Sequence, residues 1–121
     1  MAGIDGTTKI LDSVKKLLNI NEEDHEFDMD VQAHVNGAFF SLYQLGIGPS
    51  TPFYINGNTT WNEFITVVPK DVVLDYIHLK TALVFDPPSS SYVVEAYRDR
   101  LSELGFYMNV LVDNGGGNVT G

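Results

Sequence analysis

The stretch Tyr76-Ile77-His78-Leu79-Lys80-Thr81-Ala82-Leu83-Val84-Phe85-Asp86-Pro87-Pro88-Ser89-Ser90-Ser91-Tyr92 decides the fold. It reads as one helix, a hard stop and the capped start of another. Proline fixes φ and lacks an amide hydrogen, so Pro87-Pro88 cannot lie inside a helix, and Pro87 pushes Asp86 towards extended backbone. Serine favours helix starts because its hydroxyl satisfies an orphan N–H, and three serines follow. Phe85, Asp86, Pro87 and Pro88 therefore form a rigid structural corner between two apolar-faced helices. No catalytic motif accompanies it.

Working outward, Val72, Val73, Tyr76, Ile77, Leu79, Leu83 and Val84 leave little polar surface on the helix before the corner, which opens at Asp71 and is expected to be central. The helix after it is expected from Ser91 to Met108, with Val93, Tyr97, Leu101, Leu104 and Met108 as its stripe. Glu95, Arg98, Asp99, Arg100 and Glu103 give it an ordinary solvated outer face. Arg98 and Arg100 suit inter-subunit ion pairs or that exposed face equally well.

Upstream, residues 1–6 read as a loose leader. Thr7 or Thr8 caps a first helix to about Leu18, with Ile10, Leu11, Val14, Leu17 and Leu18 on one side. A second helix is expected from Asp24 to Leu45, its buried face marked by Phe27, Val31, His34 or Val35, Ala38, Leu42 and Leu45. Phe39 and Phe40 widen that face, so the helix is covered on more than one side. Glycine at a C-cap and a following proline end it at Gly46-Ile47-Gly48-Pro49.

Residues 46–60 form a long loop holding an apolar island, Phe53-Tyr54-Ile55, read as a small β element before the Asn56-Gly57 turn. A short capped helix near Trp61 follows, with Thr60 or its neighbour as N-cap. The glycines make no phosphate loop, since neither a strand-to-helix context nor a lysine accompanies them.

At 121 residues the chain is most simply one domain, and 44 % hydrophobic content suits a folded one. Seven basic and sixteen acidic residues give a net charge of −9. Such a field repels phosphates, so the chain is a poor clamp for nucleic acid, though it suits a channel through which DNA slides without sticking. The absence of cysteine excludes disulfides, thiolate metal sites and a cysteine nucleophile. No signal peptide or membrane span is expected.

Glu22, Glu23, Asp24, Glu26, Asp28 and Asp30 crowd six acids into nine residues. A metal-dependent enzyme using Glu26, Asp28, Asp30 and His34 is one reading. The spacing lacks the glycine and closing glutamate of an EF-hand, and an acidic first turn favourable to the helix dipole explains most of the cluster. No catalytic residue, metal site or cofactor is expected.

Three segments together resemble a known family: Phe27-Asp28-x-Asp30 leading to His34-Val35-Asn36-x-Ala38-Phe39, then Gln44-Leu45-Gly46-Ile47-Gly48-Pro49, then Tyr76-Ile77-x-Leu79-Lys80 ending in Phe85-Asp86-Pro87-Pro88-Ser89. In order and spacing they resemble the head–tail connector (adaptor) proteins of long-tailed bacteriophages, over about residues 8–109. The resemblance implies a small helical bundle that assembles as a ring of about twelve subunits beneath the portal protein after DNA packaging. It implies a virion neck location, assembly in the host cytoplasm, and a stopper or tail protein as the next partner. Double-stranded DNA would pass through the ring unbound.

The fold expected is all-α, four main helices in a bundle. The domain division is a helical connector domain over residues 1–109 and an extended C-terminal tail over 110–121. The glycine-rich tail cannot form a core, so it is expected to dock on a partner. The contact residues expected for portal or neighbouring subunit are Val110, Leu111, Val112, Asp113 and Asn114 in the tail, and Phe53, Tyr54 and Ile55 in the loop. A stopper or tail-completion protein of the same neck is the alternative, though such proteins are more often β-rich.

Overall fold

The structure, a computed structural model, describes residues 4–115. Four helices carry it: α1 (Ile10–Leu17), α2 (Asp28–Gln44), α3 (Lys70–Phe85) and α4 (Ser91–Gly115), with a short 3-10 turn at Trp61–Glu63. No strand occurs among the described residues, and an isolated bridge joins Lys9 to Thr60. The all-α four-helix reading therefore holds.

Apolar periodicity places the elements. Val31, Val35, Ala38, Phe39 and Leu42 of α2 face Val73, Tyr76, Ile77 and Leu79 of α3, and these two helices form the central pair. Helix α1 adds Ile10, Leu11 and Val14 against both. Helix α4 packs on α3 and buries only Leu104 and Met108 completely, with Tyr97, Leu101, Leu111 and Val112 partly covered. No described helix is long and apolar enough to cross a membrane.

The corner is built as its residues dictate. The Asp86 N–H closes α3 on Ala82 O at 2.9 Å. Ser90 then caps α4: its carbonyl accepts from Val93 and Val94 N–H, and its hydroxyl from Tyr92 N–H at 3.2 Å. Near Trp61 the Thr60–Glu63 capping box is present, the Thr60 N–H donating to Glu63 Oε2 at 2.9 Å.

Several expectations are corrected. The leader is not loose where it is described, because Gly6 O accepts from Asn62 N–H at 2.8 Å and Thr8 O from Trp61 N–H at 3.1 Å. Neither Thr7 nor Thr8 caps α1; Asp5 captures both the N–H and the hydroxyl of Thr7, and Lys9 precedes the helix uncapped.

Helix α2 begins at Asp28 rather than Asp24, since Glu22 O and Asp24 O are turned towards the Lys15 ammonium. Phe53–Ile55 makes no β element: the Asn36 side chain takes both the N–H and the C=O of Ile55, leaving nothing there for a ladder.

The fourth helix continues past Met108 to Gly115, so Val110–Asn114 are helical rather than an extended tail. Leu111 and Val112 prolong the stripe of Leu104 and Met108, and Asn109 sends its amide across to Leu45 O at 2.8 Å instead of competing with its own backbone. Residues 116–121, the rest of the expected tail, lie outside the described residues.

Candidate docking surfaces

The loop and the end of α4 are the two expected contact regions, and the structure treats them differently. In the loop, Phe53 turns inward. Its ring lies 5.0 Å from those of Phe39 and Phe64, which are themselves 5.0 Å apart, a three-way aromatic cluster in tilted and edge-on geometry. Ile55 is buried and clamped by Asn36.

Gly48, at φ +95°, lies flat against Phe64, where a Cβ would approach the ring to 2.7 Å. Trp61 is fully buried, and its indole N–H donates to Ser13 Oγ at 2.9 Å, so it is a core anchor and not a surface one. Of the three loop residues expected to meet a partner, only Tyr54 faces outward, at 59 % exposure.

On α4, Leu111 and Val112 pack against the core while Val110 and Asp113 face solvent. Asn114 lies in the last helical turn. The residues that periodicity does not flag are Phe106, 74 % exposed, and Tyr107 beside it. Both fall off the α4 stripe, and large aromatics off a stripe are the available signal. Met29 on α2, at 85 %, and Tyr92 at the start of α4 are likewise exposed.

The acidic segment is organised by one cation. Lys15 is only 1 % exposed, and its ammonium donates to Asp24 O at 2.7 Å and Glu22 O at 3.2 Å. It also sits 2.7 Å from Asp28 Oδ1, a charge contact outside hydrogen-bond angles. His25 Nδ1 lies 2.7 Å from Asp28 Oδ2.

Lys15 first, and His25 after it, hold the Asp28 carboxyl below the usual carboxylate range against the opposing effect of partial burial. Glu26 and Asp30 are exposed, and His34 packs 6.4 Å from the Phe85 ring, which also meets Phe27 edge-on at 5.6 Å. Among the described residues no group of three His, Asp or Glu side chains is placed to hold a metal ion. Arg100 pairs within the chain, 3.3 Å from Asp75 and 3.5 Å from Glu103, while Arg98 is exposed.

The described surface thus carries several exposed large apolar side chains, Met29, Tyr54, Tyr92, Phe106 and Tyr107 among them. No curated protein and no solved structure matches the chain. A family model described as phage connector protein matches residues 10–115, from the first residue of α1 to the last of α4. A match over nearly the whole helical fold shows the family: the chain belongs to the phage connector proteins, a structural family of the head–tail junction.

Proposed function

We propose that this chain is a ring subunit of the phage neck, seated between the portal and the next neck or tail protein and continuing the DNA channel. The observation that carries the reading is the set of large apolar side chains left in solvent by a subunit of this family: Met29, Tyr54, Tyr92, Phe106 and Tyr107. Large apolar side chains left exposed at several places on one small chain favour association with other proteins. Copies of the chain, the portal and a stopper or tail protein are the partners proposed, with the end of α4 and the residues beyond it as portal anchor. The net charge of −9 favours a lumen from which DNA is repelled rather than retained.

The test is co-sedimentation with DNA-filled heads that carry a portal but no connector. Full-length protein is compared with chains ending after Gly115 and after Asn109. Binding of the full chain in portal-related stoichiometry is expected, and its failure overturns the reading. Loss on ending at Gly115 assigns the anchor to residues 116–121, and loss only on ending at Asn109 assigns it to the last turns of α4. Retention by both moves the anchor to the Tyr54 loop.

A further inference from the structure

Helix α2 carries a second apolar face that nothing among the described residues covers. Its inner side packs on α1 and α3. One flank is taken by the Asn36–Ile55 clamp and the other, through His34, by Phe85 at the end of α3. Between these flanks Met29, Ala33, Gly37, Phe40 and Gln44 step by three or four residues along one exposed stripe, none of them charged. That is unusual in a chain with sixteen acids.

Gly37 adds an independent point. A glycine in a helix interior weakens the helix relative to alanine. A Cβ at Gly37 would meet nothing within 4 Å, so no contact among the described residues requires the glycine. Its bare backbone, set between Met29 and Phe40, suits the close approach of another helix.

The complementary shape is on the same chain. At about 1.5 Å per residue, the 25 residues of α4 span about 37 Å against about 24 Å for the 16 of α3, so the far half of α4 reaches beyond α3 and is held there by Leu45 through Asn109. Phe106, Tyr107 and Val110 make an apolar ridge on that far half. We propose that the α2 outer face of one subunit receives the Phe106–Tyr107–Val110 ridge of the next copy of this chain.

Two different patches meeting head to tail make a heterologous contact, the kind that closes into a ring rather than stopping at a dimer. Phe106, Tyr107, Phe40 and Met29 are 74 %, 47 %, 40 % and 85 % exposed, and with Val110 they offer about 500 Å² of apolar side-chain surface, taking large side chains at about 200 Å² each. A stable pair buries about 1,200–2,000 Å² in all, somewhat over half of it apolar. The contact therefore supplies the core of a weak interface, one that closes when a template holds the copies side by side.

The inference rests on the ring reading and is tested apart from it. The chain has no cysteine, so single Ala33→Cys and Glu103→Cys variants, the latter one turn before the ridge and outside it, can be mixed on connector-lacking heads and oxidised. A disulfide joining one variant to the other is expected, with either variant alone giving no dimer. Head binding without that mixed cross-link overturns the α2–α4 contact and leaves the connector reading standing. No head binding by the unmodified chain overturns both.

Gly37→Ala gives a second readout of opposite sign. It should raise the melting temperature of the free chain while lowering the number of copies held per head. An unchanged copy number would overturn the proposal.

Discussion

The 46–64 segment and the outer side of α4 both carry aromatic residues, but they use them in opposite directions. Phe53 and Phe64 lie outside the helices and Trp61 in a single 3-10 turn, and they are buried against Phe39 and Ser13. Phe106 and Tyr107 lie in regular helix and are left in water. A hydrogen-bonded helix needs no neighbour to satisfy its backbone, so α4 can leave one side in water, whereas the 46–64 segment draws on Asn36, Gly6 and Thr8 for its backbone partners and is held against the helical core.

The widest separation between the two regions is expected from truncating their aromatics. Trp61→Ala should cost about 3–5 kcal/mol by denaturant unfolding, the usual loss for a buried large aromatic. Phe106→Ala should stay within about 0.5 kcal/mol on the free chain, as surface changes do. Equal losses would erase the contrast.

Next comes the cation under the acidic segment. Lys15→Ala strands Asp28 and two carbonyls and should cost about 3 kcal/mol. The same site predicts a pH signature. Because the folded carboxyl of Asp28 is held below its unfolded value of 3.8, its stabilisation is complete above that value and is lost as pH falls through the lower folded one. The melting-temperature gap between the natural chain and Asp28→Asn should be constant near neutral pH and close only below about pH 4.

Gly48→Ala tests the loop itself. A positive φ and a new Cβ 2.7 Å from the Phe64 ring atoms Cε1 and Cζ should together cost about 2 kcal/mol, within the usual range for such backbone strain. The smallest effect has the opposite sign. The Thr81 hydroxyl on α3 is fully buried without a hydrogen-bond partner among the described residues, so Thr81→Val should stabilise the chain by about 1 kcal/mol in thermal or denaturant melts.

The four helices, the proline corner and the N-cap near Trp61 are legible in the sequence because each is encoded by residues within about a turn of one another. The features that are not legible depend on partners distant in the chain. The start of α2 is set by Lys15, the shape of the loop by Asn36, and the fate of Asn109 by Leu45, 64 residues away. The docking residues divide the same way. The sequence names Phe53, Tyr54 and Ile55 alike, whereas only Tyr54 faces outward and Phe53 and Ile55 turn inward where Phe39 and Asn36 meet them. Phe106 and Tyr107 are masked by the regular helix that holds them, because its periodicity points to the buried stripe and is silent on the opposite side.

The prolines at the corner have a mechanical meaning as well. Helix α4 is a lever about 37 Å long, pivoted on Pro87-Pro88 at one end and carrying Phe106 to Val110 towards the other. Each degree of tilt at the pivot moves the far tip by about 0.6 Å over that length. A stiff dipeptide remote from Phe106 to Val110 thereby helps set where those side chains lie, and a substitution there would shift them without altering a single one of them.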